Sequence, residues 1–159
     1  MDRIVIFGNS GAGKSTLAKK YSAIYDLSHL DLDTLAWKKT VPPERKAIQE
    51  STVEINRFLS KNPRWVIEGC YADLLNIVLD SASKIIFLNP GTEACIENSK
   101  KRPWEPHKYA SIEEQNQNLE MLIEWIKEYP VRNDEFSYKA HSKLYEEFPG
   151  EKEQFTSNQ

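Results

Sequence analysis

The residues with the plainest chemistry are Gly8-Asn9-Ser10-Gly11-Ala12-Gly13-Lys14-Ser15, a Gly-x-x-x-x-Gly-Lys-Ser pattern. It has four constrained positions, and average residue usage would place it in a chain of this length only about once in two hundred times. Glycines let backbone N–H groups turn inward around a phosphate. Lys14 then reaches the β- and γ-phosphates, and the Ser15 hydroxyl ligates Mg²⁺. Thr16 follows as a residue that caps or packs. The expected ligand is a purine nucleoside triphosphate, taken as ATP with Mg²⁺. Three carboxylates stand at comparable points downstream: Asp31, Asp33 and Glu68 each close a short apolar run. Singly they could be caps or solvated strand ends; together, beside such a loop, they read as Mg²⁺-water ligands and a substrate anchor.

These residues need a scaffold that brings them to one edge. Arg3-Ile4-Val5-Ile6-Phe7 is a continuous apolar run ending in glycine, the signature of a strand buried on both faces. Leu17, Ala18, Tyr21 and Ile24 follow at helical spacing. A weaker strand is expected over 29–33. Pro42-Pro43 opens a helical segment with Ile48, Thr52, Ile55 and Leu59 on one face. Trp65-Val66-Ile67, stopped at Glu68-Gly69, is a third strand, followed by a helix carrying Leu74, Leu75, Val78 and Leu79. Lys84 to Leu88 is a fourth strand, ended by Asn89-Pro90-Gly91. A short helix over 92–101, a helix after the capping-box pattern Ser111-Ile112-Glu113-Glu114 and a helix around 133–147 complete the expectation. A fifth strand near Glu153-Gln154-Phe155 is only faintly marked. Strands alternating with helices imply parallel pairing and a three-layer α/β domain, with ligands beyond the carboxyl ends of the strands.

Composition bounds the function. One domain spanning 1–159 is expected from the length, and 40% hydrophobic with 28% charged residues is ordinary for a globular protein. A formal net charge of −3 and no basic stripe argue against direct nucleic-acid contact. No apolar run is long enough to span a bilayer, and only four apolar residues separate Arg3 from Gly8, so a cytoplasmic protein without a signal peptide is expected. Cys70 and Cys95 match no metal or redox spacing and read as reduced core residues. There is no Asn-Lys-x-Asp or Asp-x-x-Gly, which argues against a guanine-specific switch. The chain is too short for a helicase or AAA motor.

What remains resembles the small P-loop kinases: adenylate, shikimate and gluconate kinases and their relatives. The likeness is carried by Gly8–Ser15, by Asp31-Leu32-Asp33, by Glu68-Gly69 and by a proline-punctuated stretch from Lys100 to Tyr109. Leu30 to Trp37 and Trp65 to Tyr71 look like a bacterial branch whose members carry ATP-binding or topology-modulation labels. The resemblance implies a P-loop NTPase fold with sheet order 2-3-1-4-5, an acceptor-binding region about 38–60 and a short mobile helical lid about 100–110. Cys70-Tyr71 stands where adenylate kinases carry Pro-Arg, and Gly69 stands alone where shikimate kinases carry a glycine triplet. Asp-x-Asp favours the shikimate-like branch, in which the second carboxylate grips a substrate hydroxyl.

The implied activity is ATP-dependent phosphoryl transfer to a small molecule, a nucleoside monophosphate or a hydroxylated metabolite. The alternative is an ATP-binding regulatory protein with weak or no kinase activity. Ser15, Asp31 and Glu68 are the expected metal residues, and Lys14, Asp33, Arg102 and Arg132 the expected catalytic ones. Arg102 is favoured because it ends a helix at the start of the flap, and Arg132 is second choice. Trp37 is a candidate for the acceptor wall, Trp65 and Trp125 fit core or wall positions, and His107 lacks partner ligands for a metal.

Overall fold

The computed structural model describes residues 2–40 and 42–159. Five strands, β1 (Arg3–Gly8), β2 (Ser28–Asp31), β3 (Trp65–Gly69), β4 (Lys84–Leu88) and β5 (Glu151–Phe155), form one sheet in the order β2-β3-β1-β4-β5. All four pairings are parallel. Alternate side chains of β1 feed two separate cores. Val5 and Phe7 join Ile67, Ile85 and Phe87 under α3 (Ile48–Lys61), α4 (Ala72–Leu79) and α7 (Tyr138–Glu147). Ile4 and Ile6 join Val66, Ile86 and Leu88 under α1 (Lys14–Tyr25), α5 (Thr92–Lys100) and α6 (Ile112–Lys127). The central strands are therefore apolar on both faces because both faces are covered. This is the expected three-layer α/β arrangement with strand order 2-3-1-4-5, with a four-residue helix, α2 (Asp33–Ala36), placed directly after β2.

Register sets the chemistry at the sheet's carboxyl edge. Glu68 lies opposite Ile6 on one side and Asp31 on the other, and Phe7 opposite Gly69. The loop after β1 and both carboxylates thus emerge side by side. β5, the faintly marked strand, pairs along its whole length with β4, from Lys84↔Glu151 to Leu88↔Phe155. Its exposed alternating charges suit a sheet edge.

Several boundaries differ from expectation. α3 starts at Ile48 rather than at the prolines, because Trp37 and Arg45 form an antiparallel bridge. The Lys38 and Lys46 amides donate to the Glu44 and Ala36 carbonyls at 2.7 and 2.8 Å, which lays 36–38 alongside 44–46. Ser51 and Ile55 take the buried face while Ile48 is exposed. The expected helix over 133–147 begins at Tyr138, capped by Ser137, which accepts from the Ala140 amide at 2.9 Å. Ser111 caps α6 by accepting from Glu114 N at 3.1 Å, but the Glu114 carboxylate takes the Ala110 amide instead of closing on Ser111. No helix among the described residues is long and apolar enough to cross a membrane. Cys70 and Cys95 are free thiols, and burial pushes the Cys70 thiol up to about 12.

Candidate functional site

The loop between β1 and α1 is packed as a phosphate cradle requires. Gly8 has no room for a side chain, because a Cβ there would overlap the Leu88 carbonyl. Gly11 and Gly13 adopt left-handed φ values of 78° and 94°. The turn is closed by Ala12 N donating to Asn9 O at 3.1 Å, and Lys14 Nζ folds back to donate to the same carbonyl at 2.7 Å. Asn9 is buried and donates to the Ile126 carbonyl at 3.3 Å; Asn98 of α5 donates to the Gly11 carbonyl at 2.9 Å. Both bonds fix the loop against the second helical layer. Ser10 is half-buried and Thr16 exposed. α1 begins with no side-chain cap and no acidic residue in its first turn, so its amino terminus keeps its partial positive charge for an anion.

Ser15 leads from the loop to the carboxylates. Its hydroxyl donates to Glu68 Oε1 at 2.6 Å, and His29 Nε2 donates to Glu68 Oε2 at 2.6 Å. Glu68 is only 2% exposed, so these two donors replace most of its solvation. Asp31 accepts from the Asp33 amide at 2.9 Å, which turns the chain into α2. Burial, then the neighbouring Asp33 and Glu68 carboxylates, push the Asp31 carboxyl up to about 6, with Lys108 opposing. Asp33 goes the other way. Burial acts to raise it, but Lys108, the Tyr71 hydroxyl and Lys14 outweigh burial and hold its carboxyl below the ordinary range.

Both Asp33 oxygens are occupied. Tyr71 Oη donates to Oδ1, and Lys108 Nζ donates to Oδ2 at 2.9 Å. Lys108 also stands 3.8 Å from Asp31 and 3.3 Å from Glu105. The same Tyr71 hydroxyl accepts from Trp37 Nε1 at 2.8 Å, and burial keeps it a neutral donor. Behind this hydroxyl lies an aromatic wall in which Tyr71 and Phe136 pack edge-to-face at 5.3 Å and Trp37 stands 6.3 Å from Tyr71. The Arg45 guanidinium lies 4.8 Å from the Tyr71 ring centre and is bound by Asp73 at 3.0 Å and Glu135 at 3.1 Å.

Lys14, Ser15, Asp31, Asp33 and Glu68 are thus brought together at one edge. The two expected arginines have other partners here. Arg102 pairs with Glu105 at 3.4 Å, and Arg132 pairs with Asp134 at 2.8 Å while stacking 3.5 Å over Trp125. Trp65 is core, Trp37 is partly exposed beside Tyr71, and His107 is exposed near Glu105. Sequence reasoning missed Lys108, Tyr71, Arg45 and His29 as members of the site. Lys108 and Arg45 fall inside the segments expected to serve as lid and acceptor region, so the segments were readable and the individual side chains were not.

No three His, Cys, Asp or Glu side chains among the described residues converge to cage a metal. The Ser15, Asp31 and Glu68 oxygens are hard donors, a set that fits an Mg²⁺ bound mainly through phosphate and water.

No family model matches the chain, and no curated protein matches it in sequence. Among solved structures, a shikimate kinase from Acinetobacter baumannii in complex with shikimate aligns over 91% of this chain and 91% of its own. That alignment has 16% identity and a TM-score of 0.47.

Proposed function

We propose that residues 1–159 act as one domain that transfers the γ-phosphoryl group of ATP to a small acceptor, a nucleoside monophosphate or a hydroxylated metabolite. The observation that supports this best is the chain of contacts from Ser15 through Glu68 to the Asp31/Asp33 edge, next to a lysine-bearing phosphate loop. A protein that only held nucleotide would need the loop and not the paired aspartates. In the reaction, the acceptor oxygen attacks the γ-phosphorus, the bond from that phosphorus to the β-bridging oxygen breaks, and ADP leaves. Lys14 swings from the Asn9 carbonyl to the β- and γ-phosphates, and the amino terminus of α1 holds their charge. With a hydroxylated acceptor, Asp33 orients the hydroxyl and takes its proton. Ser15, with Asp31 and Glu68 through water, would hold Mg²⁺, which supplies charge neutralisation between the phosphates. Arg102 and Arg132 are candidates for the equatorial oxygens once their present carboxylate partners are released.

One observation favours the second reading, a nucleotide-binding regulator: both Asp33 oxygens already have protein partners. The two readings part on turnover. Mg²⁺-ATP is incubated with pools of nucleoside monophosphates, nucleosides and hydroxylated metabolites, and ADP is measured. A burst with one pool is expected; flat turnover in all of them gives the regulator. Lys14→Ala is expected to weaken ATP binding by at least about tenfold in calorimetry, since charged contacts to phosphate each contribute roughly 1.5–3 kcal/mol. Unchanged affinity would remove the phosphate-site assignment.

A further inference from the structure

The segment from Lys101 to Ser111 between α5 and α6 is anchored almost entirely to itself and to its two flanking helices. Trp104 Nε1 donates to the Tyr109 carbonyl at 2.9 Å, and Arg102 pairs with Glu105. Gln115 of α6 accepts from the Glu105 amide at 2.8 Å and donates to the Pro103 carbonyl at 3.1 Å. Asn118 of α6 donates to Tyr109 Oη at 2.8 Å. Among the described residues, Lys108 alone carries a polar side-chain contact from this segment across to β2 and α2. That contact ends on Asp33 and Asp31, at the place where an acceptor hydroxyl would have to bind.

We propose that Lys108 is an autoinhibitory counter-ion: in the ligand-free protein it ties the 101–111 segment over the site and competes with the acceptor for Asp33. This inference rests on the phosphotransferase reading for the acceptor's identity as a ligand of Asp33, but the latch itself does not. Asp31 and Asp33 face one another on a partly buried edge, and two neighbouring carboxylates without a cation repel. Lys108 removes that repulsion when nothing is bound. The ammonium is a point charge on a flexible stem, suited to leaving one carboxylate for another anion, whereas a forked guanidinium would be held more firmly. Among the described residues the segment has no second polar side-chain contact on the far side of the cleft, so loss of this one frees it to swing on its α5 and α6 junctions. In the empty site Lys108 also occupies Asp33 Oδ2, so that oxygen is not free to orient a water against ATP, which guards it against wasteful hydrolysis.

Two measurements on the full chain test this. The first needs no nucleotide: amide hydrogen exchange over 101–111 is compared among wild type, Lys108→Met, Lys108→Arg and Asp33→Asn. Lys108→Met and Asp33→Asn are both expected to speed exchange there by about tenfold or more, with the core strands unchanged, and Lys108→Arg to stay near wild type. Equal exchange in wild type and Lys108→Met overturns the latch. The second is acceptor-free hydrolysis of Mg²⁺-ATP. Here water attacks the γ-phosphorus, its proton passes to Asp33, and ADP and phosphate leave. Lys108→Met is expected to raise this rate severalfold, because Asp33 Oδ2 is released to orient the water. A fall in rate would mean that Lys108 assists the phosphoryl group instead of competing with the acceptor, and overturns the inference. If neither protein binds Mg²⁺-ATP, the phosphotransferase reading and the competition fail together, while the exchange result still decides whether Lys108 holds the segment.

Discussion

In the proposed reaction Asp33 is the residue on which the chemistry turns, and its surroundings explain both its charge and its restraint. It takes hydrogen bonds from Tyr71 and Lys108, and these, with Lys14, hold its carboxyl ionised against the pull of burial. An ionised carboxylate can orient a hydroxyl and receive its proton once that proton becomes acidic in the transition state. Asn keeps the shape and the Tyr71 contact but cannot accept a proton. Asp33→Asn is therefore expected to lower kcat by a factor on the order of 10² or more with the acceptor that turns over, while ATP affinity shifts by less than about threefold. Steady-state kinetics paired with nucleotide calorimetry would check this, and normal turnover would return Asp33 to a structural role at the start of α2. At this scale the sequence was legible where chemistry is compressed into a motif. Lys14 and Ser15 could be read from eight consecutive residues, and Asp31 and Glu68 from their places at strand ends. Lys108 could not, since it meets Asp33 from 75 residues away and a lysine in a charged flap looks like any solvated lysine. Tyr71 stood out only as a departure from relatives, and its role depends on Trp37, itself 34 residues distant.

The elements were legible in proportion to how completely they are buried. β1 and β4 are apolar runs on both faces, which few other structures explain, and their limits match the runs closely. β5 carries Glu, Lys and Gln on an edge and so has almost no periodic signal; β4 gives it its place. The start of α3 was misread because Pro42-Pro43 is a sound local start signal. The Trp37–Arg45 bridge overrides it, held by Asp73 and Glu135, which come from α4 and the loop before α7. The glycine loop is the element whose geometry has the sharpest consequence for packing. An alanine at Gly11 would place its Cβ against the Cys95 carbonyl and 2.6 Å from Ser99 Oγ, on top of a left-handed φ. An alanine at Gly13 meets the same backbone penalty but has nothing within 4 Å of its Cβ. Gly11→Ala is thus expected to destabilise by on the order of 1–3 kcal/mol more than Gly13→Ala, the usual range for forcing extra volume into a packed site. Urea unfolding of the two variants measures the difference; equal stabilities would show that α5 yields freely and does not brace the loop.

Across the whole molecule, the site is reached through a buried polar connection that runs from the far helix of one layer to the sheet's carboxyl edge. His141 on α7 is fully buried, packed against Phe7 and Phe87 at 5.7 and 6.1 Å. Its Nε2 donates to the Cys70 carbonyl at 2.8 Å, so Nδ1 is the bare nitrogen and accepts from Tyr129 Oη at 2.6 Å. The imidazole thereby fixes the loop after β3, and with it Tyr71 and the contact to Asp33. No amphipathic pattern marks such a histidine, because in sequence it is one polar residue in a helix of mixed character. Its burial can be read out by pH. Desolvation lowers its pKa from the ordinary 6.5 to about 4, so the folded protein keeps it neutral where the unfolded chain has already bound a proton. The unfolded state therefore binds more protons between these values, and the histidine's contribution is full above about 6.5 and is lost as the pH falls toward 4. Asp31, raised to about 6, acts with the opposite sign in an overlapping range, so the stability of the wild type alone mixes the two. The comparison with His141→Gln separates them, since both proteins share Asp31. The stability of wild type relative to His141→Gln is expected to shrink by on the order of 3 kcal/mol between pH 7 and pH 4, the linkage of the gap from 6.5 to about 4. Denaturant melts at half-unit steps of pH give the curve. A difference that stays constant across the range would mean that His141 protonates equally in both states, and that its ring is not sealed in the core as the Tyr129 and Cys70 contacts require.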